Sequence, residues 1–382
     1  MITLPAPDGT LRDHEPGDPV AWTKPAAPFT SRVAFAAAHV VADPLGDNSP
    51  GAPAAVDWDS TLAFRRHLWS YGFGVAEAMD TAQRGMGLDW ATTRELIGRS
   101  AAEAKVLGVR IAAGAGTDHA DATTLDQVVR AYTEQLDVVQ ASGAQAIVMA
   151  SRHLARLAAG PADYRRVYDR ILPLADTPVV LHWLGPVFDP ALEGYWGSAD
   201  VGEATTAFLD LVHHHADRID GVKVSLLDAD HEKALRAELP DGVRLYTGDD
   251  FHYPELIKGD GVHRSDALLG IFAAIAPAAS RALQALDDGD EAAYYAAFAP
   301  TLPLARHVFG PPTHYYKTGI AFLAWLSGLQ PGFSMVGGLQ SARGLPHLVE
   351  TYLLADRAGL FPDPELAAYR LSALLDVHGV VR

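Results

Sequence analysis

The sequence of 382 residues contains no cysteine, and this absence excludes several classes of protein. Without thiols the chain cannot form a disulfide framework, a thiolate zinc site, an iron–sulfur cluster or a cysteine nucleophile. Basic residues are also scarce, because 30 lysines and arginines stand against 47 acidic residues, for a formal net charge of −17. Such an acidic chain is expected to repel nucleic acids and anionic membranes, so neither is an expected partner.

Long apolar runs and a targeting signal are missing as well. No stretch of 18 uncharged apolar residues occurs, so no membrane span is predicted. Residues 1–29 are polar and rich in proline, without the basic start and apolar segment of a signal peptide. Because 49% of the residues are hydrophobic, the chain can bury a large core. These features predict a soluble, cytoplasmic globular protein that is either an enzyme or a binding protein.

Eight short apolar runs alternate with longer stretches predicted to be helical, such as Trp90–Leu107 and Leu125–Ser142, after an expected N-terminal arm at residues 1–31. The runs are rich in valine, isoleucine and leucine without strict polar alternation, which is typical of parallel strands covered on both faces. The predicted strands are Val33–Val41, Gly72–Ala78, Val109–Ala113, Ala146–Ala150, Pro178–Leu184, Gly221–Leu227, Val243–Thr247 and Ala267–Ala274. Eight strands with a crossover helix after each favour a closed (β/α)8 TIM barrel, expected over residues 32–276.

The pattern changes beyond Pro277, where apolar residues recur at helical spacing between glycine and proline breaks. Residues 277–382 are therefore predicted to form a C-terminal helical region. Its predicted helices are Ala278–Leu286, Asp290–Pro300, Leu302–Val308, Thr318–Leu326, Leu345–Ala358 and Pro364–Leu375. Lys317, near the start of one of them, is interpreted as a structural residue.

One of the six lysines lies inside an apolar run, in the segment Gly-Val-Lys-Val-Ser at residues 221–225. Strand alternation places Val222 and Val224 on one face and Lys223 on the other. If the valines contact the outer helices, Lys223 points into the barrel. A partly desolvated amine has a lowered pKa and can attack a carbonyl group. The alternative is a structural lysine paired with an inward carboxylate.

Several motifs occur in a fixed order along the chain. They are Pro-Val-Val-Leu-His-Trp-Leu-Gly-Pro at 178–186, Ile-Asp-Gly-Val-Lys-Val-Ser at 219–225, Leu-Tyr-Thr-Gly-Asp-Asp at 245–250, the segment 266–277, and Tyr-Lys-Thr-Gly at 316–319. Over about residues 30–330 this order resembles the dihydrodipicolinate synthase / N-acetylneuraminate lyase family, in a synthase-like branch. The resemblance implies a (β/α)8 barrel with a helical C-terminal domain. It also implies a homo-oligomer, dimer or tetramer, and an imine between a lysine on the sixth barrel strand and a keto acid, without a separate cofactor.

On this resemblance Lys223 corresponds to the Schiff-base lysine, and His182 stands where the family has a proton-relaying tyrosine. Histidine can also transfer protons. The family's pair of adjacent threonines, which binds the substrate carboxylate, falls near Asp80 and Thr81, so only one threonine remains. An acid beside that site would repel a keto-acid carboxylate. The expected substrate is therefore a small molecule, either a neutral polyol or a sugar-derived carbonyl compound.

Further candidate substrate-binding residues follow other predicted strands. Asp189, Tyr195 and Trp196 lie in the segment after the fifth strand and offer a carboxylate and aromatic faces, which suit sugar-like ligands. The alternative is a loop packed by its own aromatic rings. His39 and Asp249 close the first and seventh strands, although each taken singly fits a structural role better.

Two other functions are compatible with the same barrel. In one, histidine and carboxylate side chains at strand ends hold a divalent metal that polarises the substrate. No motif with the spacing of metal ligands, such as His-Glu-x-x-His, identifies which residues would bind the metal. The three consecutive histidines at 213–215 are interpreted as part of a helix surface. In the other, the barrel binds a sugar without catalysis.

Overall fold

The centre of the computed structural model, which describes residues 1–6 and 8–380, is a closed barrel of eight parallel strands. A hairpin of β1 (Ile2–Pro5) and β2 (Leu11–His14) precedes it. The barrel strands are β3 (Ala34–Ala37), β4 (Gly74–Glu77), β5 (Ile111–Ala115), β6 (Gln145–Val148), β7 (Val179–Leu184), β8 (Ile219–Ser225), β9 (Arg244–Thr247) and β10 (Asp266–Leu269). Each pairs with the next, and β10 closes onto β3. The predicted (β/α)8 TIM barrel with C-terminal helices is confirmed.

Helices connect the strands on the outside of the barrel and form the C-terminal region. They are α1 (Trp58–Ser70), α2 (Trp90–Leu107), α3 (Leu125–Ser142), α4 (Arg152–Leu157), α5 (Pro161–Ile171), α6 (Val201–His214), α7 (Ala229–Glu238), α8 (Tyr253–Lys258), α9 (Phe272–Asp287), α10 (Glu291–Phe298), α11 (Leu302–Val308), α12 (Tyr316–Leu326), α13 (Leu345–Arg357) and α14 (Pro364–Val377). Within the described residues, none of these combines the length and apolar composition that a membrane crossing requires.

Side-chain capping sets where two of the predicted crossover helices, α2 and α3, begin. Asp89 accepts a hydrogen bond from the backbone of Thr92 and starts α2, and Thr124 forms a capping box with Gln127 at the start of α3. Such caps satisfy backbone N–H groups that have no partner within the helix. Both helices have the bounds that the sequence predicted.

Strand alternation divides the apolar side chains between the interior of the barrel and the layer under the helices. The interior cluster includes Phe35, Ile147, Val180, Tyr246 and Leu268. Val222 and Val224 belong instead to the larger core that contains the helices. Neighbouring positions on one strand therefore face different environments, which is the basis for locating polar side chains inside the barrel.

The last predicted strand differs from the structure. β10 ends at Leu269, and residues 272–274, which were assigned to it, form the start of α9 instead. A short apolar run has no periodicity that separates a strand from a buried helix. α9 continues through Pro277, where a non-helical Ile275 (φ −117°, ψ 21°) accommodates the proline. The predicted division between residues 276 and 277 therefore falls inside one helix.

The N-terminal arm contains structure that its composition did not predict. After the β1–β2 hairpin, the Asp356 carboxylate of α13 lies 2.8 Å from Nε2 of His14 and accepts a hydrogen bond from the backbone of Gly17 at 3.1 Å. Trp22 donates from Nε1 to the carbonyl oxygen of Gly359 at 2.9 Å. These contacts attach the arm to the C-terminal helices.

A fully buried ion pair connects the first crossover helix to the sheet. Arg65 of α1 donates from Nε and Nη2 to the carboxylate of Glu77 on β4, at 2.9 and 2.7 Å, and both side chains are 0% exposed. Arg65 also donates to the carbonyl oxygens of Thr61 and His39. Because the guanidinium is bidentate and further hydrogen-bonded, the pair is tolerated in the core.

Candidate active site

Lys223 lies near the middle of β8 with its side chain inside the barrel. It is aligned with His182 on β7 and with Tyr246 on β9. Tyr246 is a member of the interior cluster, and aligned residues of neighbouring parallel strands point to the same face. Lys223 is only 7% exposed. This agrees with the orientation inferred from the alternation of Val222 and Val224.

The amine of Lys223 is buried without a direct polar partner. Among the described residues, Nζ forms neither a hydrogen bond nor an ion pair. Burial lowers the pKa of Lys223, and the carboxylates of Asp80 and Asp250 oppose this effect in part. A lowered pKa increases the neutral, nucleophilic fraction of a lysine amine at neutral pH.

Gly248, just after β9, allows the backbone to pass close to the lysine. A Cβ atom at this position would lie 2.1 Å from Oγ of Ser225, 2.7 Å from the carbonyl oxygen of Val224 and 3.0 Å from Cε of Lys223. Real Cβ atoms do not approach other atoms so closely. Glycine is therefore required here for close packing around the amine.

His182 is the neighbour of Lys223 on the adjacent strand. Its Nε2 lies 3.3 Å from Oγ of Ser225, and its Nδ1 is buried without a hydrogen-bond partner. Burial, assisted by the positive charge of Lys223, lowers the pKa of His182 well below 6.5. The imidazole is therefore neutral at neutral pH and can accept a proton. Ser225 follows Lys223 by two positions and so shares its face.

Thr81 and Tyr316 form a hydroxyl pair at the carboxyl end of the barrel. Their oxygens lie 2.7 Å apart, and both side chains are buried. The ring of Tyr316, in α12, stacks on Phe309 with centroids 4.3 Å apart. Burial and the negative charges of Asp80 and Asp250 raise the pKa of Tyr316 well above 10, so its phenol is protonated. A helix of the C-terminal region therefore contributes a proton-bearing group to the barrel site.

Lys317 is a second buried lysine at this end of the barrel. It is 2% exposed, and Nζ donates to the carbonyl oxygen of His314 at 3.0 Å and lies 3.3 Å from Sδ of Met86. Burial lowers the pKa of Lys317 to about 8, against the opposing effect of Asp80. Asp80 thus lies in the electrostatic field of two lysines, Lys223 and Lys317, whose positive charges oppose its negative charge.

Two adjacent aspartates after β9 have different surroundings. Asp249 accepts hydrogen bonds from two backbone N–H groups of its own turn, at 2.8 and 3.0 Å, and lies 2.9 Å from the ring of His252. Asp250 accepts from the backbone of Ile271 at 2.8 Å, and burial raises its pKa. Of the two, Asp250 is the one whose charge acts on Lys223. From the sequence, Asp249 was predicted to be a substrate-binding residue, because Asp249 and Asp250 both follow the same strand and the sequence does not distinguish them.

A cavity of about 730 Å³ opens beside this cluster, at the carboxyl ends of β4 to β7. Three of the predicted residues line it, namely Asp80, His182 and Asp189. Its other polar lining consists of Arg84, Thr117, Asp118, Asp121, Ser151, Arg152, His153 and Arg156, and its apolar side chains include Met149, Leu184 and Leu192. The mixture of hydroxyl, charged and apolar groups is suited to a small polar ligand.

Ion pairs fix two of the arginines on the wall of this cavity. Arg152 donates from Nε to Asp189 at 2.5 Å, and Arg84 donates from Nε to Asp118 at 2.9 Å. The sequence signalled neither arginine, because no motif distinguishes them from the other arginines of the chain. The only sequence feature that could have indicated a role in the site was their position just beyond barrel strands.

Tyr195 and Trp196 lie behind the cavity rather than on its surface. Trp196 is 1% exposed, with ring centroids 5.0 Å from Tyr168 and 4.7 Å from Phe208. The hydroxyl of Tyr195 accepts a hydrogen bond from the backbone of Ser151 at 3.0 Å. The loop is thus packed against aromatic rings of the neighbouring helices α5 and α6, and Tyr195 supports the cavity wall at Ser151.

His39 is also buried away from the cavity lining. It is 1% exposed, its Nε2 lies 2.7 Å from Oε1 of Gln330, and its ring centroid lies 4.3 Å from that of Phe64. Burial lowers its pKa to about 4. These contacts connect the end of β3 to the C-terminal region.

Potential metal ligands cluster outside the barrel mouth. Across residues 1–6 and 8–380, the one group of three or more such side chains is Asp169, His214 and His215, on α5 and at the end of α6. His214 is exposed, which agrees with the interpretation as a helix surface. His215 departs from it, because it follows the end of α6, is 8% exposed and has its Nε2 2.7 Å from Asp169. No comparable group of described residues lies at the strand ends.

Solved structures share the fold. The chain superimposes on a putative dihydrodipicolinate synthetase from Pseudomonas aeruginosa with a TM-score of 0.64 at 18% identity, covering 85% of this chain and 99% of the other. A chloride-inhibited dihydrodipicolinate synthase from Acinetobacter baumannii in complex with pyruvate gives 0.64 at 17% identity, over 87% and 100%. The dihydrodipicolinate synthase from Oceanobacillus iheyensis gives a TM-score of 0.62 at 13% identity, covering 91% of this chain and 97% of the other. The resemblance inferred from the motifs is confirmed for the fold.

Comparison of sequences identifies the family. No curated protein matches the chain. A family model described as "Protein of unknown function (DUF993)" matches residues 2–380. That match includes the N-terminal arm, the barrel and the C-terminal helices together. The chain therefore belongs to the DUF993 family and has the barrel fold of the dihydrodipicolinate synthases.

Proposed function

We propose that this protein is a lyase of the aldolase or dehydratase type that forms a Schiff base with a sugar-derived carbonyl compound. The observation that carries the proposal is the amine of Lys223, which is buried inside the barrel, has a lowered pKa and has no direct polar partner among the described residues. An unpaired buried amine is costly to folding. Imine formation beside the proton-accepting His182 would explain why the chain contains a buried amine despite this cost.

The reaction begins when the neutral amine of Lys223 attacks the substrate carbonyl carbon. A C–N bond forms, the carbonyl oxygen takes up protons and leaves as water, and a positively charged iminium remains. The iminium accepts the electron pair released when a C–C bond breaks or when a proton is removed from the neighbouring carbon. Hydrolysis of the imine then returns the lysine.

His182 is the proposed proton relay for these steps. Its neutral imidazole can take a proton from a substrate hydroxyl or carbon and later return it. The protonated phenol of Tyr316, held by Thr81, can donate a hydrogen bond to a substrate oxygen. Asp80 and Asp189 on the cavity wall are suited to accept hydrogen bonds from substrate hydroxyl groups.

Trapping with borohydride tests the proposal directly. Keto sugars, keto sugar acids and pyruvate would each be incubated with the protein and reduced, and the peptides analysed by mass spectrometry. The expected result is a stable adduct on Lys223 with at least one sugar-derived compound. Lys105→Met, on the surface of α2, is the matched control and should still be labelled at Lys223. A substrate that is turned over without any label at Lys223 would refute the imine mechanism.

The metal-dependent and the purely binding alternatives lack a comparable observation. The described strand ends present no group of three metal ligands, and a binding site has no need of an unpaired buried amine. Loss of turnover on chelation, with recovery on addition of a divalent metal, would favour the metal-dependent reaction. Binding of a keto sugar without turnover or trapping would favour a binding protein.

We also propose that the protein is a homo-oligomer, a dimer or a tetramer. The motif resemblance and the shared fold support this, since the resembled family is usually tetrameric. Sedimentation equilibrium measures the mass directly, and a monomer at micromolar concentration would contradict the proposal.

A further inference from the structure

A second cavity lies at the end of the barrel opposite the Lys223 cluster. Its volume is about 770 Å³, and it is formed by segments that precede or begin β3, β5, β9 and β10. These are the amino ends of the strands, whereas the candidate active site lies at the carboxyl ends. Reaction sites of such barrels lie at the carboxyl ends, so this second cavity has a different use.

The charge of this cavity is opposite to that of the whole chain. Two aspartates, Asp241 and Asp266, and five arginines line it, with His263 alongside. The arginines are Arg32, Arg110, Arg236, Arg244 and Arg264. A concentration of guanidinium groups in a concave surface of a chain with net charge −17 creates a local positive potential.

Carboxylates neutralise only part of this charge. Arg244 pairs with Asp220 and, at 3.3 Å, with Asp266, and Arg236 lies 3.4 Å from Asp260. Arg110 and Arg264 are exposed and form no ion pair within the described part of the chain.

The deeper arginines are held at fixed positions. Arg32 is 8% exposed and donates to the carbonyl oxygens of Ile257 at 2.7 Å and Lys258 at 3.1 Å. Arg236 is 7% exposed, and its Nε is buried without a hydrogen-bond partner. The pKa of Arg32 is lowered by burial and then by the positive charge of Arg264, while the charges of Asp266 and Asp287 oppose this effect in part. A bound anion would relieve that repulsion between neighbouring guanidinium groups.

We propose that this cavity binds a small molecule through a multivalent phosphate group, at a site separate from Lys223. Arginine is suited to this role because its planar fork of donors matches phosphate oxygens in pairs. The cavity is larger than one phosphate, so the remainder of it accommodates an organic part of the ligand. Polycarboxylates are also anionic, so a test of this site has to distinguish binding of phosphate from binding of carboxylate.

Isothermal titration calorimetry of the full chain with pyrophosphate tests the site, with citrate as the polycarboxylate. The expected result is saturable binding of pyrophosphate that is tighter than that of citrate and weakens with added salt. The variant Arg110→Ala/Arg264→Ala should bind pyrophosphate about tenfold or more weakly, because it lacks two charge-assisted donors. The control Arg94→Ala/Arg130→Ala removes two exposed arginines of α2 and α3 and should bind as the wild type.

The cavity variant changes only exposed side chains, and circular dichroism would verify its fold. Lys223→Met should retain the pyrophosphate site, so a failed imine mechanism leaves this result unaffected. Equal affinity of the wild type and the cavity variant would overturn the assignment. So would the absence of binding at millimolar pyrophosphate, or tighter binding of citrate.

Discussion

The hydroxyl oxygens of Thr81 and Tyr316 lie 2.7 Å apart, although 235 positions separate these residues in the sequence. One follows the second barrel strand and the other begins a helix of the C-terminal region. The site around Lys223 is therefore built from the barrel and from the C-terminal helices together. Removing those helices would leave the barrel without its phenol and without the second buried lysine, Lys317.

Tyr316→Phe should weaken both stability and turnover. Loss of one buried hydrogen bond costs about 1 kcal/mol of unfolding free energy, while a lost proton donor in the site lowers turnover further. Urea unfolding and turnover would be measured alongside a double-mutant cycle with Thr81→Val. Additive effects of the two substitutions would contradict a direct Thr81–Tyr316 bond. Tyr369→Phe, at a residue 72% exposed, is the control.

Lys223→Met should abolish borohydride trapping and leave the protein as stable as the wild type or more so. The pKa of the buried amine is lowered, so the unfolded chain binds more protons between the folded pKa and 10.5. Wild-type stability should therefore rise with pH in that window, as this penalty is relieved. Urea unfolding from pH 7 to 10 would measure it. A Met variant with the same slope as the wild type would show that Lys223 is not the cause.

His182→Gln should retain the imine and lose proton transfer. General acid–base groups contribute about 10²- to 10⁴-fold to rates, so turnover should fall by that range while trapping at Lys223 persists. Single-turnover kinetics with a trapped substrate separates the two effects. Loss of trapping in a correctly folded variant would instead assign His182 to imine formation or to the packing of the lysine.

Gly248→Ala should disrupt the lysine environment. The new methyl group would clash with Ser225 and with the backbone of Val224, and overpacking of this kind costs about 1–3 kcal/mol. Trapping should decline with it. Gly98→Ala, in α2 with open space around it, should instead stabilise the protein by about 0.5–1 kcal/mol. Equal melting temperatures for the two variants would contradict the packing at Gly248.

Glu232→Gln should change how stability depends on pH. Glu232 is buried, accepts hydrogen bonds from Thr247 and Ser265 at 2.9 and 2.8 Å, and has a pKa raised by burial to about 8. Between the unfolded value of 4.5 and 8 the folded protein binds more protons, so wild-type stability falls as the pH rises through this range. The glutamine variant should show a weaker fall in urea unfolding. An identical pH profile would refute the raised pKa.

The sequence predicted the barrel because fully covered parallel strands leave a clear pattern of valine, isoleucine and leucine. It also predicted the position of Lys223, since a charged residue between two valines on a buried strand is conspicuous. The end of β10 was missed because the apolar segment up to residue 274 has no period that distinguishes strand from helix. The pairing of β1 with β2 was missed because these short strands lie among prolines and charges.

The rest of the site depends on tertiary contacts that no local pattern encodes. Trp196 looked available to a sugar because loops are usually exposed, yet five aromatic neighbours bury it. Asp249 and Asp250 are adjacent in sequence, and only the turn geometry decides which one faces the lysine. The effect of the Lys317 charge on Asp80 could not be predicted either, because it depends on where α12 packs in the folded chain.

The pairing of Arg65 with Glu77 limits the substitutions that descendants of this chain can accept. Loss of either partner alone leaves a bare charge in the core, at a cost of about 3–5 kcal/mol, whereas two apolar residues of matching volume can be neutral. A single substitution at either position thus gives a much less stable protein, whereas simultaneous replacement of both residues does not. The two positions should consequently be inherited as a unit, with relatives carrying both charges or neither.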